Sequence, residues 1–300
     1  MAEQTAGAEG LVPSWQVGAV RISQVVESKG ASPPSFFYPD VRPEDVQRHD
    51  WLRPRFAHRD GRLFASIHAF VIESEGRRIV VDTCVGNDKE RDLPMWNRLQ
   101  GPFLQKLRDA GFAPESIDVV LCTHLHVDHV GWNTRLEGGR WLPTFPNARY
   151  LFGRVELAHW LASTGHEDRR IMADSVRPIL DAGLAQPVET DHAVTSEVRL
   201  EPTPGHTPGH VSVRIRSRSA EAVITGDLMH HPIQCAEPLW QSRFDVDPDL
   251  ARQTRRRFLE AHADRAVLVL GTHFAAPTGG RVVRHGDAWR FVVPDDPPLS

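Results

Sequence analysis

Clusters and alternations of apolar residues divide the chain into short strands and amphipathic helices. In the first half the pattern predicts strands at 15–27 and 67–82, the second of which turns as a hairpin at Glu75-Gly76. Beyond them it predicts a helix at 101–110, strands at 118–123 and 148–152, and helices near 153–163 and 168–182.

The second half repeats this alternation. The pattern predicts strands at 198–202, 210–217, 220–227 and 266–271, a helix near 247–263 and a hairpin at 281–293. Two similar halves without a clean linker favour one domain over residues 1–300. We expect the α/β class, with two mixed sheets packed face to face and helices outside.

Residues 28–62 separate the first two predicted strands and have no sustained period. The segment is dense in proline, aromatic residues and arginine. Loops of this length are often functional. We interpret it as an N-terminal arm that acts as a lid or as a contact in a homodimer, through Phe36, Phe37 and Trp51.

Composition excludes some classes of protein. Apolar residues make up 40% of the 300 and charged residues 25%, an ordinary globular mixture. A net charge of −4 argues against nucleic-acid binding, and no apolar run is long enough to cross a membrane. The N-terminal segment has no apolar run typical of a signal peptide, and three separated cysteines suit a reducing cytoplasm.

The 16 histidines are the unusual feature, and they cluster. The segment THLHVDHVG, residues 123–131, places His124, His126, Asp128 and His129 directly after an apolar strand. On an extended segment His124 and His126 point to the same side. Imidazole and carboxylate groups are ligands of zinc and its first-row neighbours. The alternative is a histidine-rich loop without a metal.

Three other predicted strands end at residues of the same types. VRLEPTPGH ends at His206, AVITGD at Asp227 and AVLVLGTH at His273. Each is weak evidence alone, but together with the first segment they indicate a binuclear metal site. His210 opens the next strand on its polar face, so we expect it to support the site at most.

H-x-H-x-D-H followed by P-G-H, G-D and G-T-H resembles the metallo-β-lactamase superfamily, over about residues 66–293. The resemblance implies an αββα sandwich with its site at one edge, between the sheets. It implies His124, His126 and His206 for a first metal, Asp128, His129 and His273 for a second, Asp227 as the bridge, and Asp82 as a supporting residue.

Departures from the superfamily's pattern indicate which branch of the superfamily the chain resembles. Lactamases of the superfamily generally lack the bridging aspartate, and the diiron members carry glutamate where this chain has His126. Cys84 stands where glycine is usual, two residues after Asp82. The segments QSRFDVDPDLARQTRRRF, GTHFAAPTGGRV and WRFVVP resemble the branch that contains methyl parathion hydrolase and related lactonases.

The resemblance therefore implies a hydrolase with two divalent ions, zinc foremost and manganese, iron or cobalt as alternatives. A hydroxide that bridges the metals would attack a small apolar ester, lactone or organophosphate. We expect two catalytic carboxylates. Asp227 would hold the metal separation, and Asp128 would both ligate and orient the hydroxide.

The substrate pocket is expected from residues near the metal motifs in sequence. His230, or its neighbour His231, would contact the substrate. Apolar walls would come from Trp132, Trp240, Phe244 and Phe274, for which core packing is the alternative. Tyr150 lies in a strand where a core role is favoured, whereas Tyr38 would reach the site only if the arm folds over it.

Other functions stay open. A β-lactam or other amide hydrolase and a nuclease of the same superfamily would use the same ligands. A non-catalytic metal-binding scaffold usually has missing ligands, and none is missing here.

Overall fold

The structure is a computed structural model that describes residues 3–5, 12–294 and 296. Most of the N-terminal segment for which no signal peptide is predicted lies outside the described residues. Within the described part, no helix is both long and apolar enough to cross a bilayer.

The strands and helices follow in chain order. The strands are β1 (Glu3–Thr5), β2 (Ser14–Val17), β3 (Val20–Ser32), β4 (Leu63–Ser74), β5 (Arg77–Val81), β6 (Val119–Leu121), β7 (Thr134–Glu137), β8 (Arg140–Pro143), β9 (Arg149–Gly153), β10 (Ala185–Val188), β11 (Val198–Pro202), β12 (Val211–Ser217), β13 (Ala220–Ile224), β14 (Val267–Leu270), β15 (Gly279–His285) and β16 (Ala288–Val292). The helices are α1 (Pro34–Phe37), α2 (Pro43–Gln47), α3 (Phe103–Asp109), α4 (Arg154–Ala162), α5 (His166–Ile171), α6 (Arg177–Asp181), α7 (Ile233–Ala236) and α8 (Pro248–His262).

Two mixed sheets carry the fold. Eight strands form the first sheet in the order β1-β2-β3-β4-β5-β6-β9-β10, and six form the second in the order β11-β12-β13-β14-β15-β16. The pairs β5–β6, β6–β9, β9–β10 and β13–β14 are parallel, and the others are antiparallel. A separate hairpin joins β7 and β8.

Three apolar clusters define the layers. The first lies between the sheets, with Ile72, Ile79 and Leu121 of the first sheet in one cluster with Val213 and Ile224 of the second. Another joins the first sheet to helices α3 to α6, and the last joins the second sheet to α7, α8 and the arm. The order helix, sheet, sheet, helix is the predicted αββα arrangement.

Local sequence explains where elements begin and turn. Asp247 accepts a hydrogen bond from the backbone N–H of Leu250 at 3.0 Å, and Pro248 follows it, so α8 begins as predicted. The hairpin between β4 and β5 turns at Glu75 and Gly76, both at positive φ. This turn was also predicted.

Several predicted boundaries are wrong. The single strand predicted at 15–27 is the hairpin of β2 and β3, which turns at Gly18, where a Cβ would lie 2.2 Å from Ser217 O. The helix predicted at 168–182 contains a π-helical segment, Met172–Val176. The strand predicted at 220–227 ends at Ile224, and Asp227 lies in a 3-10 turn.

The predicted arm is shorter and more ordered than its sequence indicates. β3 extends to Ser32, so only residues 33–62 separate β3 from β4. This segment forms α1, α2 and a 3-10 turn, Asp50–Leu52, and its apolar residues pack with the cluster outside the second sheet.

Strand directions create one edge where the site can form. β13 and β14 are parallel, and β11 runs in the same direction because β12 is antiparallel to both of its neighbours. The carboxyl ends of these three strands therefore lie at one edge of the second sheet. The loop after β6 of the first sheet meets them there, since Val211 N donates to Thr123 O at 3.0 Å.

Candidate metal centre

The loops after β6, β11, β13 and β14 bring together all seven predicted ligands. Three of the four groups of possible ligands in the described structure contain only predicted ligands, with one nitrogen or carboxylate atom of each residue within 4.8 Å of the others. They are His124, His126 and His206; His124, His129 and Asp227; and Asp128, His129 and His273. Most of these side chains are buried, although the loops that carry them are irregular.

Three imidazoles converge at the first position. Nδ1 of His126 lies 3.1 Å from Nε2 of His124 and 2.9 Å from Nε2 of His206. The second position is formed by Nε2 of His129 and Nε2 of His273, which lie 3.6 Å and 3.5 Å from the two oxygens of Asp128.

Asp227 stands between the two positions. Its oxygens lie near five imidazole nitrogens. Oδ2 lies 3.5 Å from Nε2 of His206, 3.8 Å from that of His124 and 3.4 Å from that of His230, and Oδ1 lies 3.4 Å from Nε2 of His129. Nε2 of His273 lies 3.2 Å from both oxygens. The carboxylate is therefore within reach of the imidazoles of both positions, as a bridging ligand requires.

Hydrogen bonds behind the rings fix their orientation. Nδ1 of His206 donates to Asp245 Oδ1 at 2.9 Å, and Nδ1 of His273 donates to Ser66 O at 3.2 Å. With its Nδ1 proton directed outward, each ring turns the lone pair of Nε2 toward the site.

His124 and His129 share one supporting carboxylate. Thr123 Oγ1 donates to Asp82 Oδ2 at 2.8 Å and therefore accepts from Nδ1 of His124 at 3.1 Å. Nδ1 of His129 donates to the same Asp82 oxygen at 3.0 Å. Asp82 contacts the ring of His129 directly and that of His124 through Thr123, and it lies outside the ligand groups.

Burial and charge act differently on the two positions. Burial lowers the pKa of His124, His126 and His206 well below the ordinary range, which keeps these imidazoles neutral and able to bind a cation. At the second position burial also acts to lower the pKa of His129 and His273, but the carboxylates around them, Asp227 and Asp128 at both rings and Asp82 at His129, together outweigh it and raise both pKa values.

The donor set fits two divalent ions. Nε2 of His129 and Oδ1 of Asp227 are among the buried polar atoms of the described residues that lack a hydrogen-bond partner, and a bound cation would satisfy both. Two tetrahedral ligands at about 2.1 Å from an ion lie about 3.4 Å apart. The separations of 2.9 Å to 3.8 Å around His206 and Asp227 bracket that value.

A comparison with protein families agrees with this geometry. Residues 62–273 match the family described as the metallo-beta-lactamase superfamily. The chain belongs to the metallo-β-lactamase superfamily. This match covers more than half of the chain, and it confirms the predicted superfamily.

Two relatives of the chain are named as lactonases. The chain is 26% identical over 207 residues to the N-acyl homoserine lactonase AiiA of Bacillus thuringiensis subsp. kurstaki, which covers 65% of this chain and 75% of that protein. It is 28% identical over 139 residues to AttM of Rhizobium radiobacter, also an N-acyl homoserine lactonase, with coverage of 44% and 48%. These names are in accord with the predicted hydrolase class.

Solved structures of the superfamily share the fold. The hydrolase AbOPH superposes with a TM-score of 0.79 and 23% identity, over 99% of this chain and 100% of the other. AidC, a dizinc quorum-quenching lactonase, superposes with a TM-score of 0.77 and 19% identity, over 96% and 99%. They confirm the α/β sandwich predicted from the sequence.

A cavity of about 640 Å³ opens onto this superfamily site. Asp128, Asp227, His126, His230 and His273 line it together with many apolar side chains. The apolar lining comprises Phe36, Phe37, Ala65, Ile67, Leu93, Met95, Trp96, Leu99, Val127, Trp160, Ile171 and Phe244.

Three residues predicted for the substrate pocket lie elsewhere. Trp132 stacks on Phe103 at 5.7 Å in the core. Trp240 packs with the cluster outside the second sheet, and Phe274 meets the ring of Phe291 edge-on at 5.1 Å. Trp132 and Phe274 follow site residues closely in sequence, but their side chains are buried in the core, and Trp240 is half-buried against Tyr38. None of the three lines the cavity.

His230 is placed as predicted, at the cavity. Its ring is 2% exposed, and both ring nitrogens are buried without a hydrogen-bond partner in the described structure. It also forms a possible ligand group with His206 and Asp227. Its neighbour His231 points away and donates from Nε2 to Phe56 O at 2.8 Å.

His210 supports the bridging residue. Its Nε2 accepts a hydrogen bond from the backbone N–H of Asp227 at 2.8 Å, while Nδ1 donates to Thr203 O at 3.0 Å. Burial lowers the pKa of His210 to about 4, so the ring stays neutral and Nε2 stays an acceptor. His206 and His210, four residues apart in one loop, thus have different roles. His206 faces the site, and His210 lies behind Asp227.

Neither tyrosine lies in the cavity wall. The hydroxyl of Tyr150 donates to Asn133 O at 3.1 Å and accepts from Phe145 N at 3.0 Å, in the core as predicted. Tyr38 packs in the cluster outside the second sheet. Cys84 is buried behind the site, and Gly131 N donates to its carbonyl at 2.7 Å.

Several supporting residues have no signal in the sequence. Asp245 lies 39 positions after His206, and Glu156 and Glu27 are held by backbone groups of loops that are distant along the chain. Because an isolated acidic residue is most often solvated, no motif or period distinguishes these three before the chain is folded.

Proposed function

We propose that this protein is a binuclear metal-dependent hydrolase that opens small lactones carrying an apolar group. The observation that carries the proposal is the largely apolar cavity of about 640 Å³, which ends on Asp128, Asp227 and His273. An apolar wall of this kind excludes water around an apolar substituent, while the candidate ligands lie where the bond must be broken. Polar and charged side chains, among them Lys29, Asp92 and Glu167, also line the cavity.

The names of the relatives support a lactone as substrate. AiiA and AttM are N-acyl homoserine lactonases, and AiiA matches over 75% of its length. A neutral ring ester with an acyl chain would bring its ester to the polar end of the cavity. The acyl chain of the substrate would then lie along the wall that Met95, Trp96 and Ile171 help to form.

In our proposal His124, His126 and His206 hold the first ion, and Asp128, His129 and His273 hold the second. Asp227 ligates both. Zinc suits this set of imidazoles and carboxylates, and AidC is described as a dizinc lactonase; manganese, iron and cobalt accept the same donors. Two such ions supply Lewis acidity to the ester oxygen and lower the pKa of an attacking water.

The side chains of the protein then do the positioning. Asp128 carries its carboxylate at the cavity surface, where it orients the attacking water by accepting a hydrogen bond. His230 has two buried nitrogens without a partner in the described structure, and we assign it a hydrogen bond to an oxygen of the substrate. Phe36, Phe37 and Phe244 exclude bulk water from the same region.

Three further points stay predictions. These are the homodimer, the cytoplasmic location, and the domain that spans residues 1–300 with the arm as its lid. The arm's part in the site rests on Phe36 and Phe37, which line the cavity.

A panel of substrates tests the proposal. It contains N-acyl homoserine lactones with short and long acyl chains, plain γ-lactones, aryl esters, phosphotriesters, a β-lactam and an RNA oligonucleotide. We expect hydrolysis of the lactones, with kcat/KM rising by up to about fourfold per methylene, since burying one methylene contributes about 0.8 kcal/mol. A preparation with two metals per chain that hydrolyses no neutral ester or lactone would refute the function.

Replacement of the bridge tests the binuclear site. Asp227→Ala removes the carboxylate that faces both positions, and we expect metal analysis after dialysis to show loss of at least one ion per chain. Unchanged loading with two ions would contradict the bridging role of Asp227.

A further inference from the structure

Glu156 is a buried acidic residue that belongs to none of the metal motifs. It lies in the first turn of α4 and is 1% exposed. Its Oε1 accepts from the backbone N–H of Leu125 at 3.0 Å and from Nε1 of Trp160 at 2.6 Å. Its Oε2 accepts from the backbone N–H of Gly209 at 3.0 Å.

These two backbone groups belong to the two loops that form the first metal position. Leu125 lies between His124 and His126, in the loop after β6 of the first sheet. Gly209 lies three residues after His206, in the loop after β11 of the second sheet. One carboxylate therefore joins loops from both sheets where their imidazoles converge.

The contact requires an ionised carboxylate and a glycine. A carboxylate has two acceptor oxygens and no proton, so it takes N–H donors on both sides. Burial raises the pKa of Glu156, while its hydrogen bonds act to lower it. At Gly209 a Cβ would lie 2.4 Å from the backbone nitrogen of Glu156, so a side chain there would push the loop away.

Helix α4 also touches a ligand directly. The ring of Trp160, which donates to Glu156, meets the ring of His126 edge-on at 5.1 Å. The nitrogens of His126 and His206 lie 2.9 Å apart, so a shift of either loop by half an ångström would change the spacing of the ligands.

We propose that Glu156 is a positioning residue for the first metal: its carboxylate sets the separation of the loops that carry His126 and His206. This inference rests on the proposed metal site. It adds a part of the machinery that acts through the ligands without touching metal or substrate.

Glu156→Gln tests the proposal. The amide has nearly the same shape as the carboxylate. Its NH₂ group, however, would face a backbone N–H that donates to the carboxylate, so the hydrogen bond to one of the two loops is lost. We expect one of the two zinc ions to bind about tenfold to a hundredfold more weakly, as for other groups that orient metal ligands. The measurement is competition with a chromophoric chelator, together with metal content after dialysis.

Glu115→Gln is the matched control, because Glu115 is exposed and pairs with Arg108 at 3.1 Å, away from the site. It should leave both zinc affinities unchanged. Thermal unfolding of the chelator-treated proteins shows whether each variant folds. If Glu156 has only a structural role, Glu156→Gln lowers the melting temperature equally with and without zinc. If Glu156 positions the ligands, zinc stabilises Glu156→Gln less than it stabilises the wild-type protein.

A folded Glu156→Gln variant with both zinc affinities within threefold of wild type would overturn the proposal. If that variant does not fold, Gly209→Ala decides, because it displaces the second loop while the carboxylate remains. Weaker binding of one zinc ion supports the inference, and unchanged binding overturns it. Wild-type protein that binds no zinc would instead contradict the proposed function, which is a different result.

Discussion

Asp82 and His129 form a buried hydrogen-bonded pair, with Asp82 Oδ2 accepting from Nδ1 of His129 at 3.0 Å. The pair turns Nε2 of His129 toward Asp227 Oδ1, 3.4 Å away. Asp82 itself has a positive φ of 57°, which an aspartate or asparagine adopts more readily than most residues. A residue that binds neither metal nor substrate thus decides which nitrogen of His129 is available.

Asp82→Asn should weaken binding of the second metal by about tenfold to a hundredfold. We expect the amide oxygen to keep the hydrogen bond that Asp82 Oδ1 accepts from the backbone N–H of Thr123 at 2.7 Å, so that the NH₂ group takes the place of Oδ2. That group donates and cannot accept the Nδ1 proton of His129, which favours the wrong tautomer. A zinc titration against a chelator measures the effect. Asp118→Asn is the control, because Asp118 accepts from Arg78 N at 2.8 Å on the exposed part of the same sheet. Equal loss in both variants would contradict the prediction.

His230→Phe should lower kcat for lactones by about a hundredfold, the usual effect of removing one donor to a reacting oxygen. The phenyl ring retains the shape of the cavity wall but has no nitrogen. His230→Gln keeps a donor and should retain more activity. Metal content is measured in parallel. A loss of one ion in both variants would mean that His230 is a ligand, in the group it forms with His206 and Asp227.

Asp174→Asn should destabilise the protein by about 3–5 kcal/mol, because it leaves the buried guanidinium of Arg91 without its anion. Asp174 accepts two hydrogen bonds from Arg91, at 2.7 Å and 2.8 Å, and lies 3.5 Å from Nζ of Lys89. Urea unfolding gives the free energy of unfolding. Glu115→Gln breaks an exposed ion pair and should leave the free energy of unfolding almost unchanged. An equally small change in the free energy of unfolding for Asp174→Asn would contradict the prediction that the contacts of Asp174 with Arg91 and Lys89 stabilise the fold.

The wild-type protein should lose stability as the pH falls from 7.5 to 5.5 more steeply than His262→Gln. Burial lowers the pKa of His262, whose Nδ1 donates to Phe258 O at 2.8 Å while Nε2 is buried without a partner in the described structure.

The sign follows from proton binding. With its pKa lowered in the folded state, the histidine binds more protons in the unfolded chain as the pH falls, so acid favours unfolding, by at most about 1.4 kcal/mol per pH unit. Glu201 and Glu221 raise the pKa of His262 and Arg214 lowers it, but burial is the largest cause. Urea unfolding at the two pH values measures the slopes. Parallel slopes would contradict the prediction.

The sequence by itself indicated the seven candidate ligands, because each follows an apolar strand within a few residues and the strand ends place it. To predict that His124 and His126 follow β6, and that Asp227 follows β13, one needs only the strand and its direction. The turn at Gly76 and the start of α8 at Asp247 are equally local. Strand ends, turns and helix starts can be predicted from the sequence because residues close together along the chain determine them.

Only the tertiary structure decided which side chains line the cavity and which carboxylates support the site. Trp132 and Phe274 lie next to site residues in the sequence, yet both point into the core. Met95 and Ile171 carry no motif, yet they lie in the cavity wall. Glu156 acts through contacts 31 and 53 positions away along the chain. These relationships depend on how the two sheets and their helices pack, which no local pattern of apolar and polar residues encodes.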